Sequence, residues 1–535
     1  MSLSNNNETI NIVLQLQAIE NHEMGGYVGC NHPHSIFDRV FVISDPENPR
    51  DDSRGEILNL KIWGGFNGAP EKVSNWTETL NVTQDGSQCV QGSDPVTGSE
   101  DCLFINVYTT DLSATNLSVM VFIYGGAFVS GNSTYKVVGP DYLLDEDIVF
   151  VSFNYRLGIF GFISTGDEVC SGNWGLKDQV LALKWVQSNI AYFGGDPNNV
   201  TLFGQSAGSA SISYLLQTNK TKGLFSAAIM ESGTSLNLWA LNRRAVKTAF
   251  SVGTSLGIIT TNSSTLIESL REVNYTELQT TSNTVATLSR NMMGRFFVNK
   301  SHELLSQGGF HKIPTIIGTN SNEAAVVGSV TAIIRLYFAT YDIEVKNLAP
   351  IDLTSVTLDR ILAALDIRFH YYGLLGTVAL CTNQTLQFID DDQFYRPIRQ
   401  AVLQQSKYAP VYFYEFSYVG GLGGVENRNF SGVGHGEELG YLFRTYYTNV
   451  SETDELVRSR MVKMWTNFAK YSNPTPNAET ILQNITWEIA GSNASSLNYL
   501  DVGTDLNLLQ NPFEDAMEFY DGIYDEYGQP PYDTY

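Results

Sequence analysis

The 535-residue chain has no uninterrupted run of ~18 apolar residues, the length a helix needs to cross a bilayer, so no membrane-spanning helix is expected. Its most apolar stretch, Ile148 to Phe162, is broken by Asn154 and Arg156 and reads as a core strand and its exit. Positive charge is scarce: 32 Lys and Arg stand against 56 Asp and Glu, a net charge of −24. No basic surface can dominate, which excludes nucleic acid and anionic membranes as expected partners and leaves a solvated, acidic exterior. Charged residues make up only 16%, below the ~25% of an average soluble domain. Cysteine is rare and odd in number, at residues 30, 89, 102, 170 and 381, so at least one thiol is unpaired. The opening MSLSNNNETI has neither a basic n-region nor an apolar h-region and does not read as a signal peptide. Internal repeats and long linkers are also missing. What is present is 43% hydrophobic and 12% aromatic residues, enough for a large core and incompatible with global disorder.

Short β-branched runs alternate with helical patterns. Val119–Tyr124, Ile148–Asn154, Val200–Phe203, Ala227–Met230, Thr315–Ile317 and Val411–Phe416 are the strand candidates. Leu176, Val180, Leu183, Val186 (or Gln187) and Ile190 mark one face of a helix. Strands alternating with helices predict an α/β class with a mostly parallel sheet covered on both faces. The expected organisation is a polar tail over 1–15, one domain over 16–519, and an acidic, Tyr-rich tail over 520–535. There are 15 Asn-x-Ser/Thr sequons between Asn7 and Asn493, where about seven would arise by chance, which suggests a glycoprotein.

The sharpest chemical signal is Gly204-Gln205-Ser206-Ala207-Gly208, set between the strand Val200–Phe203 and a helical run, Ser209–Gln217. Two glycines permit the tight strand-to-helix turn that lifts a serine hydroxyl above a sheet edge. A serine hydroxyl needs a base to become nucleophilic. Acyl transfer also needs donors for a developing oxyanion. Tyr124-Gly125-Gly126-Ala127-Phe128, after another strand, has the small residues that leave N–H groups open, and Gly126, Ala127 and Ala207 are the expected donors. With the chain order serine, acid, histidine, His22, His32 and His34 fall out. His435 lies in the flexible loop Gly432-Val433-Gly434-His435-Gly436-Glu437-Glu438. His302 and His311 read as solvated, and His370 as packed or on the surface. Glu323 follows the strand end Ile316-Ile317-Gly318-Thr319-Asn320 and could hold the imidazole tautomer.

These residues lead to a family. The chain resembles the type-B carboxylesterases, the α/β-hydrolase group that includes cholinesterases and the non-catalytic neuroligins. The resemblance is almost continuous from Ser164 to Gly208, through Gly172-Asn173-Trp174-Gly175-Leu176-Lys177-Asp178-Gln179 and Phe193-Gly194-Gly195-Asp196-Pro197. It extends to Ser99-Glu100-Asp101-Cys102-Leu103, Asn154-Tyr155-Arg156-Leu157-Gly158, Glu231-Ser232-Gly233-Thr234, and Trp465-Thr466-Asn467-Phe468-Ala469-Lys470. It covers roughly residues 70–520. By it, Ser206, Glu323 and His435 form the triad, Ser232 is a hydroxyl near the acid, and Glu438 is the buried Glu after the histidine. Cys89 and Cys102 correspond to the family's first disulfide.

Departures are informative. The first ~70 residues lack the family's Gly-Ile-Pro-Tyr-Ala segment. Gln205 stands where Glu usually precedes the nucleophile. The Cys89–Cys102 loop is short and has no choline-binding Trp. Two further family disulfides have no cysteines, with Tyr395 or Arg396 near one position, so Cys30, Cys170 and Cys381 read as buried thiols. The resemblance implies a serine hydrolase of small neutral esters, acting through an acyl-enzyme, without cofactor or metal, as a monomer or homodimer. A disulfide and the sequons imply secretion or storage in secretory vesicles. The competing reading is a non-catalytic adhesion, storage or structural relative. A cholinesterase proper is disfavoured by Gln205 and the missing Trp.

Overall fold

A computed structural model describes residues 42–43, 56–61, 85–288, 300–325, 340–425, 430–445, 450–530 and 532. Eleven strands form one sheet in the order β1-β2-β3-β5-β4-β6-β7-β8-β9-β10-β11. They are β1 Val42–Ile43, β2 Glu56–Lys61, β3 Phe104–Thr109, β4 Leu117–Ile123, β5 Ile148–Phe153, β6 Gly195–Gln205, β7 Ala227–Glu231, β8 Thr315–Asn320, β9 Val411–Phe416, β10 Asn498–Val502 and β11 Leu506–Gln510. From β5 to β10 every pairing is parallel. The flanks β1-β2-β3-β5 and β10-β11 are antiparallel. The expected α/β-hydrolase sheet is therefore present. The sequence reading missed β1, β2, β3, β10 and β11, which lie in these flanks.

Why the central strands were legible is visible in their burial. Every residue of β5 (Ile-Val-Phe-Val-Ser-Phe), β7 and β8 is buried, so each reads as a continuous apolar run rather than an alternation. Helix α1, Trp174–Asn189, buries Leu176, Val180, Leu183 and Val186 on the sheet. The choice between Val186 and Gln187 resolves to Val186. Gln187 instead donates to the Pro197 (2.6 Å) and Leu224 (3.0 Å) carbonyls, and Ile190 falls in the following 3-10 turn. The flank of the sheet holds Arg156 and Asp178, both nearly inaccessible, joined by Nε···Oδ2 at 2.8 Å and a terminal nitrogen···Oδ1 at 2.6 Å. Beside them Cys89 and Cys102 are disulfide-bonded, as expected.

Several expectations are corrected. The C-terminal tail does not begin at 520: the helix Glu514–Tyr527 buries Met517, Tyr520, Ile523 and Tyr524, because its tyrosines and Ile523 recur at helical spacing and face the body. His302 and His311 are half-buried rather than solvated. His311 Nε2 meets the Thr218 carbonyl at 2.8 Å. Cys170 is buried as expected, but Cys381 is half-buried. His370 stacks on Phe519 at a centroid distance of 3.8 Å. The 1–15 tail, Cys30, His22, His32 and His34 lie outside the described residues, as do the sequons at Asn7, Asn75, Asn81, Asn299, Asn429 and Asn449. Among the others, Asn116, Asn219, Asn262, Asn274, Asn383, Asn484 and Asn493 are exposed, while the Asn199 amide donates to Ser118 Oγ at 2.7 Å.

Candidate active site

The parallel strands β4, β6, β7, β8 and β9 all end at one edge, and the expected site residues gather there. Ser206 directly follows β6 and opens helix α2, Ala207–Leu216. Its backbone has φ 56° and ψ −121°, a conformation that costs a non-glycine residue on the order of 1–3 kcal/mol. Neighbours enforce it. The Ser206 N–H donates to the Glu231 carbonyl at 2.8 Å. A Cβ on Gly208 would strike the Ile123 carbonyl, and one on Gly233 the Ser206 carbonyl. The glycines of the motif are thus required by close approach of backbones.

The loop after β4 lies against this turn. A Cβ on Gly125 would come within 2.9 Å of Ser206 Cβ. Gly126, Ala127 and Phe128 all have positive φ (104°, 54° and 63°). The loop is anchored at both ends. Tyr124 and Tyr155 stack at 4.5 Å, with the Tyr155 hydroxyl donating to the Tyr124 carbonyl at 2.8 Å. The Gly158 N–H donates to the Phe128 carbonyl at 2.8 Å. Among the described residues the N–H groups of Gly126, Ala127 and Ala207 donate no hydrogen bond.

Glu323 follows β8 and is closed off from solvent. Its Oε1 accepts from Thr319 Oγ1 (2.6 Å) and from the Asn320 N–H (2.7 Å). Its Oε2 meets His435 Nδ1 at 2.6 Å. The loop is held again from behind, where buried Asp390 Oδ1 accepts the Ala324 N–H at 2.7 Å. Burial pulls the His435 imidazole down, but the Glu323 charge, its hydrogen bond and the Glu438 charge together outweigh that and hold it above the usual histidine range. Glu438 is fully buried and accepts from Asn320 Nδ2. Ser232 is likewise buried, and its N–H donates to the Gly318 carbonyl at 2.9 Å.

The structure thus brings Glu323 and His435 into direct contact and sets Ser206 on the same edge. Among the described residues no hydrogen bond joins Ser206 Oγ to His435. The Nε2 of that ring faces the Gln205 side-chain nitrogen at 3.2 Å.

Some neighbours had no signal in the sequence. A single π turn, Asp390–Tyr395, lays Phe394 against the His435 ring at 5.0 Å. Trp239 sits 6.0 Å from Phe394, and its indole N–H and the Asn237 amide both donate to the Gln393 carbonyl. Glu231, the last residue of β7, is buried with its Oε1 accepting from Trp465 Nε1 at 2.6 Å, and burial pushes its pKa up to about 8. A π turn is invisible to periodicity, since it inserts one residue into an otherwise helical pattern.

Comparison with known proteins agrees with this geometry. A model of the carboxylesterase family matches residues 67–520. A juvenile hormone esterase of Tribolium castaneum is 34% identical over 465 residues, covering 78% of both chains. An acylcarnitine hydrolase of Rattus norvegicus is 33% identical over 433 residues, covering 76% of each. The crystal structure of juvenile hormone esterase from Manduca sexta, with OTFP covalently attached, superposes with a TM-score of 0.78 at 25% identity, covering 91% of this chain and all of that one.

Proposed function

Because the chain belongs to the carboxylesterase family and is a carboxylic ester hydrolase, we propose that it cleaves esters through an acyl-enzyme formed on Ser206, with His435 as the base and Glu323 as its partner. The observation that carries this reading is the 2.6 Å contact between His435 Nδ1 and Glu323 Oε2, on the sheet edge where the strained Ser206 turn stands. A carboxylate there fixes the Nδ1–H tautomer and stabilises the imidazolium that forms when Nε2 takes the serine proton. The bond from Ser206 Oγ to the ester carbonyl carbon forms first. The proton then passes from His435 to the leaving alcohol, and water repeats the sequence to release the acid.

The unengaged N–H groups of Gly126, Ala127 and Ala207 are the donors for the oxyanion. Each such donor is typically worth 10²–10³ in rate. Ser232 and Glu438 act behind the acid, through Asn320 and the β7–β8 contact, without touching substrate. Trp239 and Phe394 give the site an aromatic wall, suited to a small neutral ester. The relatives' names span juvenile hormone, acylcarnitine, pyrethroid and cocaine, so the shared element is the ester rather than one alcohol or acid. The Cys89–Cys102 bond and the exposed sequons support an enzyme made in the secretory route.

The experiment is labelling with a fluorophosphonate followed by peptide mapping. Modification of Ser206 alone, abolished in His435→Ala, is the expected result. A protein that hydrolyses aryl esters but labels elsewhere would overturn the assignment.

A further inference from the structure

Gln205 precedes Ser206 and its side chain turns into the site, almost fully buried. Its Nε2 lies 3.2 Å from Nε2 of His435. Gly125 leaves room for it. A Cβ on Gly125 would stand 2.9 Å from Gln205 Oε1, closer than side chains tolerate, whereas one on Gly436 would stand 3.6 Å from Gln205 Nε2, an ordinary contact.

Elementary hydrogen-bond accounting fixes the roles. The Glu323 carboxylate only accepts, so His435 Nδ1 carries the hydrogen. The neutral ring then offers Nε2 as an acceptor with a single in-plane lone pair. The group that meets it must be a donor, and the amide NH₂ of Gln205 is one. That lone pair is also the one that must receive the Ser206 proton. Among the described residues Ser206 Oγ makes no hydrogen bond to the ring, in keeping with an acceptor already engaged.

We infer that Gln205 is a positioning residue acting through His435: in the resting enzyme its amide occupies the Nε2 lone pair and holds the ring in the Nδ1–H tautomer, and it must withdraw when Ser206 delivers its proton. This inference rests on the triad reading above.

A second consequence comes from charge. The titratable groups facing the ring are Glu323, from the turn after β8, and Glu438, from the 3-10 turn Glu437–Tyr441. Phe394 covers the ring from the π turn, which also carries Asp390, and Glu231 lies behind at the end of β7. All these ionisable neighbours are carboxyls. A further carboxylate at 205 would accept from Nε2–H and favour the charged ring. The neutral amide leaves the base available at lower pH.

The test uses the full-length purified enzyme and two variants. Gln205→Met keeps the bulk and removes the donor. Because a ground-state contact is lost that the transition state does not have, inactivation by a fluorophosphonate on the alkaline plateau should be about 2–10-fold faster. Gln205→Glu should move the acid limb of kcat/KM for p-nitrophenyl acetate up by about one pH unit, a roughly tenfold loss below the limb, with a plateau no lower than wild type because the carboxylate, like methionine, donates nothing to Nε2. A Gln205→Met enzyme that reacts at the wild-type rate or slower overturns the inference, as does an unmoved limb in Gln205→Glu. Should Gln205→Met not fold, the near-isosteric Gln205→Glu limb decides alone. Wild-type enzyme labelled at Ser206 with unaltered variants sinks only the role of Gln205. Wild-type enzyme that hydrolyses esters without labelling at Ser206 sinks both readings.

Discussion

Asp178, under the flank of the sheet, and Glu438, behind its C-terminal edge, are carboxyls with 2% and 0% exposure. Asp178 receives the Arg156 guanidinium on both oxygens and the Arg156 N–H at 3.1 Å. Glu438 has the Asn320 amide, and among the described residues it forms no ion pair with lysine or arginine. Burial, with the charges of Glu323 and Glu231, pushes Glu438 up to about 8, and Glu231 is raised likewise by burial. The flank therefore holds a buried carboxyl by pairing it with a guanidinium, while the edge holds two buried acids that burial pushes upward. A charge locked in a fork serves the frame. Buried acids with raised pKa values stand around the imidazole at the edge. Changes in the flank should be read in stability, and changes at the edge in turnover.

The largest effect tests the edge. Ser206→Ala should lower aryl-ester turnover by ~10⁴–10⁶, while the midpoint of thermal unfolding stays close to wild type, since one hydroxyl at an elbow contributes little to packing. A variant that loses activity by unfolding would erase the distinction between the regions. Next comes the flank. Arg156→Met leaves Asp178 buried and unpaired and should cost about 3–5 kcal/mol in urea unfolding, and the double variant Arg156→Met with Asp178→Leu should recover most of it. Equal losses in single and double variants would show that the fork is not what matters there.

A smaller loss is expected for the disulfide. With a sequence separation of 13, opening Cys89–Cys102 by Cys→Ser substitution should cost roughly 3 kcal/mol in the chain-entropy account. Turnover per folded molecule should be retained. The smallest effect depends on pH. An unfolded Glu ionises near 4.3, so between about pH 4.5 and 8 the unfolded chain releases protons that folded Glu231 and Glu438 keep. Stability from these groups is present at low pH and falls as pH rises through that window. Glu438→Gln or Glu231→Gln should flatten the decline, by on the order of 1 kcal/mol for each pKa unit of the shift removed. Urea titrations at pH 5 and 8 measure it, and an unchanged slope would show that both acids are ionised in the folded state.

How much of this was legible follows from the physics of each element. Central strands such as Ile148–Phe153 are buried on both faces and announce themselves as apolar runs. The outermost antiparallel strand is not: β11, Leu506–Gln510, has one buried residue and four exposed, so its composition resembles a loop, whereas β3 is buried at five of six positions and its burial does not account for its being missed. The serine turn was readable because its glycines answer to backbone collisions close in sequence or on the neighbouring strand. Glu323 and His435 were placed by chain order and resemblance, and the structure puts them in contact. Gln205 was noticed as a departure, but its reach to His435 could not be read, because the partner lies 230 residues away. The aromatic wall of Trp239 and Phe394 depends on a π turn with no periodic signature. The helix Glu514–Tyr527 runs past the expected tail boundary at 520, because its acidic residues mask a stripe of tyrosines.

The sequence separations of 112 between Glu323 and His435, and of 230 between Gln205 and His435, bear on how the enzyme comes into being. No local segment holds a working part of the site. Each strand end must reach its neighbour through a long crossover, and the entropy of closing such loops has to be met before the contacts reward it. Ester turnover is therefore a clock for the last stage of assembly. During refolding, helical circular dichroism should return first and activity last, with the lag between them timing the docking of β9 and its histidine loop onto β8.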